Sequence, residues 1–154
     1  PTLLDAGALR LLAHDTFSKI TLHSQTVLTP HPGEAAEMLQ ITAKEVQKNR
    51  IESAKELQKK YGCIIVLKGN GTIVCDKNNV YLCSSGGPEL AVAGSGDVLS
   101  GVIGSLMAQG LAPIDAAITG VGIHAQAGEE FAKDVGKIGL AAGELIPYIR
   151  KFLN

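Results

Sequence analysis

The first half of the chain alternates short apolar runs with amphipathic stretches, a pattern that predicts alternating strands and helices. The opening segment, PTLLDAGALRLLA, is typical of a strand followed by a helix. Residues 26–29 form another apolar run, which Pro30 and Pro32 interrupt because proline lacks the amide hydrogen that a sheet uses. We therefore expect a strand at residues 26–29 and a helix that begins near Gly33.

Residues 42–62 carry the signals of one amphipathic helix. Thr42 and Glu45 have the spacing of a capping box, and Gly62 supplies a stop. Apolar residues recur on roughly one face of this segment, namely Val46, Ile51, Ala54 and Leu57. The sequence therefore predicts a single helix that ends at Gly62.

Three β-branched runs follow, CIIVLKG, GTIVCD and NVYLC, and the turns between them contain Asn-Gly and Asn-Asn. Such turns favour hairpins, so the sheet should have an antiparallel edge. Helical patterns then cover residues 97–109, about 113–133 and about 141–152. Gly101 and Gly104 in the first of these helices predict a close approach of the next helix, since each interior glycine costs about 1 kcal/mol relative to alanine. The whole pattern predicts one α/β layered domain over residues 1–154, with a mostly parallel sheet.

Composition and charge exclude several classes of function. The chain has 154 residues, 45% of them apolar, and a net charge of −1, so no field of one sign attracts nucleic acid or an anionic membrane. No apolar run is long enough to span a membrane, and no export signal is visible, so we expect a cytoplasmic protein. Cys63, Cys75 and Cys83 contain no C-x-x-C pair and are expected to be reduced, buried side chains. A small neutral or mixed-charge ligand is the favoured partner.

Residues 94–97, GSGD, precede the longest apolar pattern and are the main candidate for chemistry. A dinucleotide fingerprint requires glycine where Leu99 stands, and a Walker A loop requires lysine where Val102 stands. A nucleophile elbow is excluded because Ser95 lies directly between two glycines. None of these nucleotide or nucleophile motifs fits.

A glycine turn before a helix leaves the first N–H groups of that helix free, and together with the helix dipole they form an anion site. Asp97 in that first turn has two explanations. It stabilises the helix end, an effect worth roughly 0.5–2 kcal/mol, or it accepts a proton beside a bound phosphate. The buried helix behind the turn favours the second explanation.

Four ordered segments, TPHPGEAAEML, VLKGNGTIV, AVAGSGDVLSGVIGSLMAQG and GVGIHAQAG, resemble the ADP/ATP-dependent NAD(P)H-hydrate dehydratases of the ribokinase-like superfamily. The resemblance runs from the opening segment almost to the last residue. It implies a ribokinase-like fold and the repair of the hydrates NADHX and NADPHX. In that reaction ADP or ATP, with Mg²⁺, phosphorylates the ring hydroxyl, and elimination restores the cofactor.

The resemblance also implies site residues. Asp97 would be the base that takes the hydroxyl proton, and His31 would bind the hydrate. Glu34 would orient water bound to Mg²⁺. The nucleotide and its phosphates would bind at two segments, one formed by Lys68, Gly69, Asn70, Gly71 and Thr72 and the other by Gly94, Ser95 and Gly96.

Simpler explanations exist for several of these residues. Lys68 also fits the polar end of a strand, and His31 between two prolines also fits a surface loop. We expect His124, on an apolar helix, to be a hydrogen-bonded core histidine. The chain departs from the family where it has Gly87-Pro88-Glu89 in place of Asn-Pro-Gly, and where it has DAGALR in place of DADALN.

The resemblance covers the C-terminal half of the family domain. We therefore expect either a homo-oligomer or pairing with the missing N-terminal half, and no activity from this chain alone. Two alternatives stay open: a ribokinase-like kinase of a small molecule such as a vitamin precursor, and a non-catalytic nucleotide-binding fragment. His31, where such kinases carry Asn, favours the dehydratase.

Overall fold

A five-stranded sheet lies between two layers of helices in the computed structural model, which describes residues 1–14 and 20–154. The strands are β1 (Thr2–Leu4), β2 (Thr26–Leu28), β3 (Ile64–Leu67), β4 (Ile73–Cys75) and β5 (Val80–Leu82). The helices are α1 (Gly7–Ala13), α2 (Pro32–Leu39), α3 (Ala43–Lys48), α4 (Arg50–Tyr61), α5 (Ser95–Ala108), α6 (Pro113–Asp134) and α7 (Leu145–Phe152), and short 3₁₀ turns cover Pro88–Leu90 and Ala142–Glu144.

The strands lie side by side in chain order. β1, β2 and β3 are parallel, and β4 and β5 add an antiparallel edge through the pairings Val66–Val74 and Val74–Tyr81. Two parallel strands need a long crossover, whereas two antiparallel strands are joined by a short turn. The prediction of an α/β fold with a hairpin edge is confirmed.

The alternation of side chains along β3 divides the core into two layers. Ile65 and Leu67 pack with α1, α2 and α4, whereas Ile64 and Val66 face α5 and α6. Successive residues of a strand point to opposite faces, so a run of four apolar residues is what a strand covered on both sides requires. The central strands β2, β3 and β4 are thereby buried on both faces, so a ligand can reach the parallel strands at their ends.

The prediction of one helix over residues 42–62 is wrong, because α3 and α4 are separated at Asn49, whose backbone is not helical (φ −132°, ψ 52°). The capping box of Thr42 and Glu45 is present. Ile51 is 46% exposed instead of lying with the buried apolar residues of this segment. Because Asn49 leaves the helical conformation, the 3.6-residue period of α3 does not continue into α4.

The close approach of α5 and α6 is present, but its position differs from the prediction. A side chain added at Gly101 or Gly104 would meet nothing within 4 Å. On α6, a Cβ added at Gly120 would lie 2.7 Å from Cγ1 of Ile103. The helix contact therefore depends on a glycine of α6, whereas Gly101 and Gly104 of α5 face open space.

Cys63 and Cys75 are buried, as predicted, and Cys83 is half-buried. Burial raises the pKa of the Cys63 thiol to about 11, which keeps this thiol protonated and unreactive. In residues 1–14 and 20–154, no helix combines the length and the apolar character that crossing a bilayer would take.

Candidate active site

A cleft of about 850 Å³ opens at the carboxyl ends of the parallel strands. Asp5 directly follows β1, His31 comes shortly after β2, and Lys68 directly follows β3. Ligands of α/β sheets bind at such strand ends. Every site residue that the sequence predicts lines this cleft, that is His31, Glu34, Lys68, Gly69, Asn70, Gly71, Thr72, Gly94, Ser95, Gly96 and Asp97.

The turn before α5 presents free amide groups to the cleft. Gly94 precedes the helix with a left-handed backbone (φ 85°), a conformation that favours glycine. The Ser95 N–H donates to the Val92 carbonyl, but the N–H groups of Gly96 and Asp97 form no hydrogen bond with the described residues. Two free donors at the positive end of a 14-residue helix can bind an anion.

His124 supports this turn from α6. Its Nε2 donates to the Ser95 carbonyl (3.0 Å) and lies 3.2 Å from the Ser95 hydroxyl oxygen. Burial lowers the pKa of His124, an effect that the hydrogen bond to Ser95 partly opposes, so the imidazole stays neutral near pH 7. The prediction of a hydrogen-bonded core histidine is confirmed, and the structure adds that this histidine fixes the first residue of α5.

Asp97 is the exposed acid of the turn. It occupies the first turn of α5 and lines the cleft. Among residues 1–14 and 20–154, its carboxylate makes no hydrogen bond and no ion pair, so its oxygens stay open to a ligand. A carboxylate with free lone pairs at the edge of an anion site can accept a proton.

Lys68 lies between this turn and β1. Its Nζ donates to Asp5 Oδ1 at 2.8 Å, and a Cβ added at Gly96 would lie 3.1 Å from the same Nζ. Asp5 also accepts hydrogen bonds from the Ser100 hydroxyl (2.6 Å) and the Ala6 N–H (2.8 Å). The ammonium group is therefore held beside the start of α5.

Asp5 and Ser100 were not predicted as site residues. Burial acts to raise the pKa of Asp5, but the hydrogen bonds from Lys68 and Ser100 and the charge of Lys68 outweigh it. The pKa therefore lies below its ordinary value of 3.8. An acid placed directly after an apolar strand was the available signal, and Ser100 offered none.

His31 caps α2 in place of the usual serine or threonine. Its Nδ1 accepts hydrogen bonds from the N–H groups of Gly33 (3.0 Å) and Glu34 (3.2 Å). The buried Glu34 carboxylate returns the interaction, because it accepts from the His31 N–H at 2.8 Å. Since Nδ1 is an acceptor, the neutral ring carries its hydrogen on Nε2, which lies 3.5 Å from Glu34 Oε1.

Two carboxylates hold the loop of residues 85–88, which also lines the cleft. Glu129 accepts from the Gly86 N–H and Glu89 from the Gly87 N–H, both at 2.8 Å. A Cβ added at Gly87 would lie 2.5 Å from Glu89 Oε2. The two departures from the family's Asn-Pro-Gly therefore belong together. Glu89 fills the space that a side chain at position 87 would need, so glycine stands at position 87.

The described residues do not form a metal cage of their own. Within residues 1–14 and 20–154, no group of three His, Cys, Asp or Glu side chains is placed to hold a metal ion. Mg²⁺ at nucleotide sites is commonly held by substrate phosphates and one or two carboxylates. Glu34 and Asp97 are carboxylates in the cleft that fit this arrangement.

A family model described as NAD(P)H-hydrate dehydratase matches residues 1–151. A relative from Coxiella burnetii, named bifunctional NAD(P)H-hydrate repair enzyme Nnr, is 43% identical over 155 residues, which cover 100% of this chain and 31% of the relative. A relative from Neisseria meningitidis, named ADP-dependent (S)-NAD(P)H-hydrate dehydratase, is 39% identical over 158 residues, which cover 100% of this chain and 53% of the relative. The chain thus spans from about a third to about half of these relatives.

The ADP/ATP-dependent NAD(P)H-hydrate dehydratase of Bacillus subtilis, co-crystallised with ATP/Mg²⁺ and soaked with CoA, has a similar structure. The TM-score is 0.88 at 32% identity, over 99% of this chain and 55% of that one. A hydroxyethylthiazole kinase from Pyrococcus horikoshii has a TM-score of 0.71 at 17% identity, over 98% of this chain and 59% of that one. The second likeness concerns the fold alone.

Proposed function

The chain belongs to the NAD(P)H-hydrate dehydratase family, and we propose that it carries the nucleotide site and the catalytic base of an ADP- or ATP-dependent dehydratase of NADHX or NADPHX. The observation that carries the proposal is the convergence of three separate segments, at residues 31–34, 68–72 and 94–97, on one cleft. Each segment supplies a different requirement of phosphoryl transfer: polar side chains for the acceptor, a glycine turn for the nucleotide and free amides for the transferring group.

The nucleotide binds between the two glycine turns. Lys68, Gly69, Asn70, Gly71 and Thr72 contact the nucleotide, and the turn of Gly94, Ser95 and Gly96 receives the transferring phosphate. The free N–H groups of Gly96 and Asp97 and the nearby Lys68 ammonium support this assignment, because fixed donors stabilise the charge that develops on the phosphoryl oxygens.

Asp97 acts as the base. As the hydroxyl oxygen of the hydrate forms its bond to phosphorus, the bond from phosphorus to the nucleotide oxygen breaks, and the hydroxyl proton passes to the Asp97 carboxylate. Elimination then restores the ring double bond: the bond from the ring carbon to the phosphate oxygen breaks, phosphate leaves, and the neighbouring ring carbon loses a proton to solvent. The open carboxylate beside the amide donors supports this role, since a base must reach the proton that it removes.

His31 binds the hydrate, and Glu34 holds a water of the Mg²⁺ that neutralises the nucleotide phosphates. With Nδ1 committed to the cap of α2, His31 offers Nε2 to a ligand. The buried Glu34 carboxylate is fixed by the His31 N–H, which makes it a rigid acceptor for a metal-bound water.

The chain forms a single, partial ribokinase-like domain that completes its hydrate site with further strands. Its coverage of 53% of the Neisseria dehydratase supports this part of the proposal. The segment that completes the site pairs with these residues or is supplied by a homo-oligomer, and the complete enzyme works in the cytoplasm on a small-molecule substrate.

The test combines binding and turnover. ADP and Mg²⁺ are titrated into the chain by calorimetry, and NADH formation from NADHX is then followed with and without the residues that precede this region in the Neisseria relative. We expect ADP binding by the chain alone and turnover only in the reconstituted sample. Absence of ADP binding by a folded chain would refute the nucleotide site, and phosphorylation of a thiazole or pyrimidine alcohol without NADHX turnover would favour a vitamin-precursor kinase.

A further inference from the structure

Arg50 contacts the backbone of the turn of residues 68–72 from outside the cleft. It does not line the cleft, but it lines a more open cavity together with Asn70 and Gly71. Its Nη1 donates to Gln47 Oε1 (3.0 Å) and the Lys68 carbonyl (3.4 Å). Its Nη2 donates to the carbonyls of Leu67 (3.3 Å) and Gly71 (3.0 Å). The planar guanidinium thus ties together both ends of the turn.

These contacts determine where the amides of the turn point. In a trans peptide the C=O and N–H groups point in opposite directions, and the described residues contain no cis bond. Because the carbonyls of Lys68 and Gly71 face Arg50, the N–H groups of Gly69 and Thr72 face away from it. These two N–H groups form no hydrogen bond with the described residues, and both residues line the cleft.

Two further features follow from the same contact. A Cβ added at Gly69 would lie 2.6 Å from Nη1 of Arg50, so the guanidinium occupies the place of a side chain at this position. The break between α3 and α4 lies at Asn49, and Arg50 is the first residue of α4. The interruption of the helix therefore coincides with the residue that reaches the turn.

The geometry points to Arg50 as a positioning residue for nucleotide binding. It holds the turn so that its free amides face the phosphates before the nucleotide arrives, and it does not itself touch the nucleotide. The inference rests on the proposed function, because it assumes that this turn binds ADP or ATP. A preset turn binds more tightly because binding does not have to order it.

The test measures ADP affinity by calorimetry in the wild-type chain, Arg50→Met and Arg50→Lys. We expect Arg50→Met to bind ADP about tenfold or more weakly, and Arg50→Lys to recover only part of this loss, because an ammonium group cannot reproduce the planar fork. Lys60→Met is the matched control. Lys60 also donates to a backbone carbonyl, that of Met38, but far from the turn, and this variant should bind ADP within about twofold of wild type.

Thermal unfolding of each variant identifies the folded samples. Affinity within about twofold of wild type in folded Arg50→Met, or an equal loss in Lys60→Met, would overturn the inference while the proposed function stood. If Arg50→Met does not fold, Arg50→Lys decides in the same way. In the reconstituted enzyme we expect KM for ADP to rise at nearly constant kcat, and a lower kcat at constant KM would contradict a positioning role. A wild-type chain that does not bind ADP would refute both the proposed function and this inference.

Discussion

Replacement of Asp5 by Asn tests the ion pair that holds Lys68 in the cleft. The substitution keeps the shape of the side chain but removes the charge that faces the ammonium group at 2.8 Å. The Asn oxygen can still accept the hydrogen bonds from Lys68 and the Ala6 N–H that Asp5 Oδ1 accepts, whereas its amide group cannot accept the Ser100 hydroxyl hydrogen that Asp5 Oδ2 now accepts. Asp5→Asn therefore leaves a largely buried lysine without a partner of opposite charge.

The loss of stability in Asp5→Asn can be estimated from the distance between Lys68 and Asp5 and from the burial of the two side chains. Two unit charges at this separation attract by about 6 kcal/mol at an effective dielectric constant of about 20, before their desolvation is counted. Loss of one partner costs about 3–5 kcal/mol for a fully buried pair and about 0–1 kcal/mol for an exposed one. The side chains of Lys68 and Asp5 are 18% and 13% exposed. We therefore expect Asp5→Asn to lower the free energy of unfolding by about 2–4 kcal/mol at neutral pH.

The stability that this ion pair contributes should decrease as the pH falls. The folded-state pKa of Asp5 lies below its ordinary value of 3.8, so the ion pair contributes its full stability above that value. This contribution is lost as the pH falls through the folded-state pKa, where Asp5 becomes protonated and resembles Asn. The difference between wild type and Asp5→Asn should therefore be constant near neutral pH and decrease in acid.

Urea unfolding followed by circular dichroism measures the difference at neutral pH and its decrease in acid, from about pH 7 down to about pH 2. Asp115→Asn is the matched control, since Asp115 is an exposed acid in the first turn of α6 and should contribute less than about 1 kcal/mol. Lys68→Met and the double variant complete a cycle, for which we expect a coupling of about 1–3 kcal/mol. A cost of Asp5→Asn no larger than that of the control, or additive single variants, would refute the ion-pair argument.

Three further changes test the site and the backbone around it. Asp97→Asn should lower kcat of the reconstituted enzyme by about 100-fold or more and leave the ADP dissociation constant within a few-fold, and near-normal turnover would exclude Asp97 as the base. Gly96→Val should weaken ADP binding measured by calorimetry, because its Cβ would lie 3.1 Å from Lys68 Nζ at the anion site, and unchanged affinity in a folded variant would contradict that site. Ala6→Gly should raise the free energy of unfolding by about 1 kcal/mol, since Ala6 has φ 49° and ψ −121°, and a loss of stability in urea would show that this backbone is not strained.

The sequence predicted features that depend on neighbouring residues and missed those that depend on distant ones. The apolar runs of β2 and β3 and the capping box at Thr42 are local signals, and the structure confirms them. The break at Asn49 could not be predicted in this way. Arg50 finds its carbonyl acceptors 17 to 21 residues further along the chain, in a turn whose path is set by the sheet.

The same distinction between local and distant signals applies to the candidate active site. The motifs that resemble the family identified the residues that line the cleft, but not the residues that support them. Asp5 meets Lys68 across 63 residues and Ser100 across 95, and no period or motif links these positions. The sequence pointed to Gly101 and Gly104 of α5 as the sites of close helix packing. Only the packing of the structure shows that α5 and α6 approach each other at Gly120 of α6.

The hydrogen bond from Ser100 to Asp5 has a consequence for folding kinetics. It joins residues 95 positions apart, so a long loop must close before it forms, whereas the hairpin of β3 and β4 closes locally. The turn of Gly94, Ser95 and Gly96 lies four to six residues before Ser100, so it depends on the same late packing of α5 against β1. In a refolding experiment the hairpin should therefore appear before the chain can bind ADP, and the onset of ADP binding should mark the closure of the last large loop.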